Sequence, residues 1–84
     1  LYSLKTEKDV DKIFLKLKKR DSKQLEAINK KVKQILENPY QFKSLRFPMQ
    51  HLRRVHIGSF VLIHEIIENG KTIRILHYKH HDKA

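Results

Sequence analysis

With 84 residues and a formal net charge of +10, the chain has room for one small domain spanning 1–84, and it favours a polyanionic partner. It contains no cysteine, which excludes disulfides, and a domain this short buries only about 60–65% of its unfolded surface. No stretch of roughly 18 apolar residues is present, and no apolar signal core follows the basic N-terminus. A soluble cytoplasmic protein without membrane contact is therefore expected.

In chain order, residues 1–5 alternate well enough for a short strand. Thr6-x-x-Asp9 is a capping-box pattern, and Val10, Ile13, Phe14 and Leu17 follow at helical spacing. Asp21 or Ser22 starts a second helix, with Gln24 near its third position and Leu25, Ile28, Val32, Ile35 and Leu36 as its apolar stripe. Asn38-Pro39 ends that helix, because the residue before proline is pushed out of the helical region. With almost no linker between them, the two helices form an antiparallel hairpin. Residues 39–50 read as an irregular link pinned to the core by Phe42, Leu45 and Phe47.

Three strands complete the pattern. Residues 52–57 form the first, and Phe60–Ile67, apolar on both faces, reads as a central strand. Asn69-Gly70 predicts a tight hairpin into the partner strand Ile73–Tyr78, which runs on toward Lys79-His80-His81-Asp82. The predicted fold is α+β with the order β-α-α-β-β-β. The helical hairpin packs on one face of a mainly antiparallel four-stranded sheet.

Side chains two apart on a strand share a face, so Arg54 and His56 point away from the helices while Val55 and Ile57 point toward them. Arginine clamps phosphate oxygens in bidentate fashion, and histidine moves protons near neutral pH. Cationic neighbours favour the neutral imidazole, which is competent as a base. The plain alternative is an ordinary polar strand face. His77, His80, His81 and Asp82 offer zinc-type donors, but no HExxH or second ligand pair accompanies them, so no metal is assigned. His64, between Leu62 and Ile66, reads as a packed histidine rather than a ligand. Ser59 lacks a nucleophile-elbow context, and the two glycines cannot build a phosphate-cradling loop. The helical lysines form a solvated face, and Tyr40, Phe42 and Tyr78 are read as packing residues rather than base-stacking ones.

The element order, Asn38-Pro39, Lys43-Ser44-Leu45, Arg54-Val55-His56-Ile57-Gly58-Ser59-Phe60 and the closing His80-His81-Asp82 resemble the RelE/ParE toxin superfamily. The similarity is greatest to archaeal RelE-type toxins of type II toxin–antitoxin systems. It covers essentially the whole chain, and the order and spacing of short motifs carry it. It implies an mRNA interferase, an endoribonuclease that cleaves mRNA in the ribosomal A site without metal or cofactor. The 2′-hydroxyl attacks its neighbouring phosphate and leaves a 2′,3′-cyclic phosphate. The implied partners are mRNA on the ribosome and a RelB-like antitoxin in a hetero-oligomer.

Carried onto this chain, the resemblance makes Arg54, His56 and His81 the catalytic candidates. Arg53, Arg74, Lys79 and His80 become RNA contacts. Two features depart from the family pattern. Val61 stands where arginine is common, and the C-terminal tyrosine common in the family is missing from a chain that stops at Ala84. A ParE-like inhibitor of DNA gyrase and a basic RNA-binding module without activity are the alternatives.

Overall fold

The structure is a computed structural model that describes residues 1–83. Its elements are β1 (Ser3–Thr6), α1 (Lys8–Arg20), α2 (Ser22–Glu37), β2 (Leu52–Ile57), β3 (Phe60–Ile67) and β4 (Thr72–His80). Short 3-10 turns occupy Pro39–Gln41 and His81–Lys83. The strands form one sheet in the order β1-β4-β3-β2, with β1 parallel to β4 and the other pairs antiparallel. The helical hairpin covers one face, so the expected α+β architecture is the observed one.

Helix α1 does not begin at a capping box. Thr6 pairs with Ile75 as the last residue of β1, and the Glu7 amide donates to the Ile75 carbonyl. Those parallel ladder bonds hold Thr6 extended. Glu7 becomes the N-cap without a side-chain capping bond. Asp9 and Asp11 near the helix start, and Lys18, Lys19 and Arg20 at its end, complement the helix dipole. Helix α2 is capped as expected. Asp21 accepts from the Gln24 amide at 3.1 Å, and the Gln24 side-chain amide donates to its other oxygen, also at 3.1 Å. Asp21→Ala is expected to lower stability by about 1 kcal/mol, read as a shift of the urea midpoint at unchanged slope.

Val10, Ile28, Val32 and Ile35 from the helices meet Val55, Ile57, Leu62, Ile73, Ile75 and Tyr78 from the sheet. Fully burying each large aliphatic side chain stabilises by roughly 1.5–3 kcal/mol, so this layer drives folding. Tyr78 ties it together. Its ring stacks on Phe60 at 5.1 Å, meets Phe14 edge-on at 5.6 Å, and its hydroxyl donates to Gln24. Burial raises the Tyr78 pKa to about 12, so the hydroxyl stays a donor at all physiological pH.

A β-bulge decides which residues of β4 reach the core. His64 pairs with Ile75 and Ile63 with His77, which leaves Leu76 unpaired as the extra residue. Strict alternation from Ile73 and Ile75 would send His77 inward and Tyr78 outward. The extra residue reverses the phase, so Tyr78 is buried and His77 and Lys79 lie on the face away from the helices.

The β3–β4 connection is the hairpin turn expected at Asn69-Gly70. Those two residues are the central positions of a turn from Glu68 to Lys71, closed by the Lys71 amide on the Glu68 carbonyl at 3.0 Å. Of the central pair, Gly70 alone has a positive φ (95°), the pattern of a type II turn, and Lys71 follows at φ 46°. Glu68 accepts from the hydroxyls of both Tyr2 and Tyr40, which joins the chain start, the link and this turn. These bonds hold the Glu68 carboxyl below the usual range and push Tyr40 up to about 12.

Residues 43–45 run along the outer edge of β2. The Arg54 amide donates to Lys43, and the Leu45 amide to Leu52. The edge of β2 is thereby covered over Leu52–Arg54, which limits pairing with another chain there. Phe42 packs against the core, but Phe47 is 84% exposed and pins nothing. The proline-bounded turn at 46–49 carries it outward, so that expectation is corrected. Among the described residues no helix is long and apolar enough to cross a membrane.

Candidate active site

The face of the sheet away from the helices carries two rows of paired residues. Arg54, Ile63 and His77 are direct neighbours across β2, β3 and β4, and so are His56, Val61 and Lys79. Strand alternation puts Arg54 and His56 on this face, as expected from the sequence. The bulge brings His77 and Lys79 to it.

The 3-10 turn after β4 delivers the third expected residue. The His81 amide donates to the Ser59 carbonyl at 2.8 Å, which fastens the chain end to the two-residue β2–β3 turn. Gly58 there has φ 60°, as the first central position of a tight hairpin requires. The His56 and His81 rings consequently lie 5.7 Å apart, tilted at 48°. Asp82 reaches His81 Nδ1 at 3.5 Å and His80 Nδ1 at 3.8 Å, while its own amide donates to His80 Nδ1. A carboxylate therefore flanks the imidazoles from the chain end.

The remaining candidates are distributed elsewhere. Arg53 has the parity of Val55 and Ile57 and points to the helix side. There its guanidinium donates to the Phe42 carbonyl and lies 5.2 Å from the centre of the Tyr40 ring. Arg74 sits at the far end of the open face, paired with Glu7 at 3.4 Å and Glu65 at 3.8 Å. His80 has the parity of Tyr78 and meets Phe60 edge-on at 5.2 Å. Of the four expected RNA contacts, Lys79 alone joins the two rows. The expectation placed on the chain's end at Ala84 lies outside the described residues.

Two features of the site were not singled out from sequence. His77 reaches the open face only through the bulge, and no local pattern announces that shift. Leu45 and Met49 of the link lean over the same face. With Leu52, Val61 and Ile63 they form the apolar part of a cavity of about 560 Å³ that Arg54, His56, His77, Lys79 and His81 also line. Val61 lies between His56 and Lys79 and is 4% exposed, giving an apolar floor where a cation is common in the resembled family. Among the described residues, no three His, Cys, Asp or Glu side chains gather closely enough to hold a metal ion.

The sequence model described as the ParE toxin of type II toxin–antitoxin systems matches residues 1–84. The chain belongs to this family of the RelE/ParE superfamily. It is 45% identical over 83 residues to the Methanocaldococcus jannaschii protein named "Putative toxin RelE4", covering 98% of this chain and 88% of that one. Among solved structures, the fold matches a YoeB/ParE toxin from Agrobacterium tumefaciens with a TM-score of 0.82. The identity is 13%, with 94% of this chain and 98% of that one covered. It also matches the archaeal RelE–RelB complex from Pyrococcus horikoshii with a TM-score of 0.71 and 21% identity, over 99% and 98% of the two chains. The toxin is therefore of the type II toxin–antitoxin class, on a RelE fold.

Proposed function

We propose that residues 1–84 form one toxin domain that cleaves mRNA in the ribosomal A site. The observation that carries the reading is the pair of imidazoles, His56 and His81, 5.7 Å apart beside two cations. Two adjacent imidazoles supply the base and the acid that transesterification of a phosphodiester needs. In the proposed reaction His56 accepts the proton of the 2′-hydroxyl as its oxygen attacks the adjacent phosphorus. The bond from phosphorus to the 5′-oxygen breaks, and His81 gives that leaving oxygen a proton. The products are a 2′,3′-cyclic phosphate and a 5′-hydroxyl. Arg54 and Lys79 stabilise the charge that builds on the phosphoryl oxygens.

An antitoxin resembling RelB is the proposed partner, since the related archaeal RelE was solved in complex with RelB. The cytoplasm, where mRNA and ribosomes meet, is the proposed site of action. The net charge of +10 suits a ribosomal RNA environment. A second reading, inhibition of DNA gyrase by binding alone, draws on the ParE description of the family and on Val61 in place of a cation.

Primer extension on mRNA in a cell-free translation system, run beside a gyrase supercoiling assay, separates the two. Codon-spaced 5′-hydroxyl ends that appear only with ribosomes are expected, with supercoiling unaffected. Gyrase inhibition without mRNA cuts would replace the first reading by the second.

A further inference from the structure

The proton transfers assigned to His56 and His81 leave the apolar half of the open face without a role. Leu45 and Met49 from the link, Leu52 from β2 and Ile63 from β3 line the apolar half of the cavity that Arg54, His56, His77, Lys79 and His81 complete. Its floor is closed, since Ile63 is 8% exposed, whereas Met49 is 49% exposed and forms a yielding wall. Phosphate oxygens gain nothing from aliphatic walls. A nucleotide does, because its base has apolar faces and a polar edge while its phosphate carries the charge.

The two rows on the sheet fit that division. Arg54 lies two residues from His56 along β2, about 6.7 Å at strand spacing, and His56 and His81 line the same cavity, so its apolar half adjoins the imidazole pair directly. Charge complementarity selects the occupant. The rim is cationic, the chain as a whole carries +10, and the volume of about 560 Å³, which takes in His56, Lys79 and His81 as well as the aliphatic walls, accommodates a nucleotide with its phosphate.

We infer that this cavity is a nucleobase subsite, holding the base of a nucleotide next to the scissile phosphate. The inference rests on the RNA-cleaving reading above. Ile63 and Leu52 support one face of the ring and Met49 closes over the other. His77 meets the base edge, and Arg54 holds the phosphate that follows. An aliphatic sandwich of this kind grips any base by its faces and leaves discrimination to the edge contact at His77.

Met49 is the chain's only methionine, so a single 13C-labelled methyl signal reports on the cavity. The probe is a 2′-O-methyl tetraribonucleotide, which lacks the attacking hydroxyl, compared with an abasic oligomer of the same length. The base-bearing oligomer is expected to move the Met49 methyl signal upfield through the ring current, together with the His56 and His81 ring signals. The abasic oligomer is expected to move the histidine signals alone. Leu45→Ala should weaken binding of the base-bearing oligomer about three- to tenfold and leave abasic binding unchanged.

If the histidine signals respond while Met49 responds to neither oligomer, or equally to both, the subsite is wrong and the RNA reading stands. If neither Met49 nor the histidines respond to either oligomer, the subsite is wrong, and the ribosome-dependent reading is decided separately by the primer-extension assay. A Met49 response to an acidic apolar peptide with none to RNA would place a protein segment there and overturn the subsite.

Discussion

Replacing His56, His81 or Arg54 singly by alanine is expected to lower ribosome-dependent mRNA cleavage by about 10²–10³-fold each. In the proposed reaction the three side chains act on one phosphate. Changing His56 and His81 together should therefore cost much less than the product of the single losses. Once one proton transfer fails, the other has little left to assist. His56 and His81 are exposed, as is Arg54, so unfolding midpoints should stay close to the parent. Quantitative primer extension at matched ribosome concentration checks the rates, and urea unfolding checks the fold. Full cleavage by folded His81→Ala protein would remove it as the acid. Lys79→Ala should show a smaller loss, because it neutralises charge without moving a proton.

The second large effect concerns a histidine with no part in that chemistry. His64 is fully buried on the helix side of β3, opposite Arg53 on β2 and Ile75 on β4, with the Phe42 ring edge-on at 6.1 Å. Burial, reinforced by the Arg53 charge and opposed by the Pro39 carbonyl, pushes its pKa down to about 4. The folded state holds it neutral, while the unfolded chain binds a proton below about 6.5. Its stabilising contribution is therefore complete above about pH 6.5 and is lost as pH falls toward about 4. The full span corresponds to roughly 3 kcal/mol, a large share of the stability of so small a domain.

Urea unfolding at pH 7 and pH 4.5 measures this, with His64→Leu as the comparison. Leucine has no proton to gain, so the pH slope between those values should flatten by most of that amount. Acid loss from Glu68 would persist in both proteins, since the Tyr40 and Tyr2 hydroxyls hold its carboxyl below the usual range in each. An identical pH slope in both proteins would rule out His64 as the sensitive group.

Strand β2 shows what short-range pattern can carry. Alternation alone separated Arg54 and His56 from Val55 and Ile57, and the same parity, applied strictly, also places Arg53 on the helix side. Its role as an RNA contact was to make up for the cation missing at Val61 and did not follow from its face, and its guanidinium instead holds the link. Strand β4 shows the opposite case. Its apolar residues mark it as a strand, but a single unpaired residue, Leu76, decides whether His77 or Tyr78 enters the core. A bulge answers to the register of the neighbouring strand, which local sequence does not contain.

Thr6 fails for a related reason. Its strong local signal yields to a partner distant in the chain, because ladder pairing with Ile75 holds Thr6 extended. Asn69-Gly70, by contrast, occupies the centre of the β3–β4 turn as its local signal predicts.

The amino-acid sequence by itself determined the elements, the face of β2 that carries Arg54 and His56, and the basic character that points to a polyanion. Periodicity and charge are local or additive properties, so they survive without knowledge of contacts. Tertiary structure alone decided that His81 meets His56, that His77 and Lys79 share their face, and that Leu45 and Met49 roof an apolar cavity beside them. Each depends on an amide bonded to a distant carbonyl or on strand register. Those bonds form between residues far apart in the chain, where the free energy of the whole fold chooses the partner.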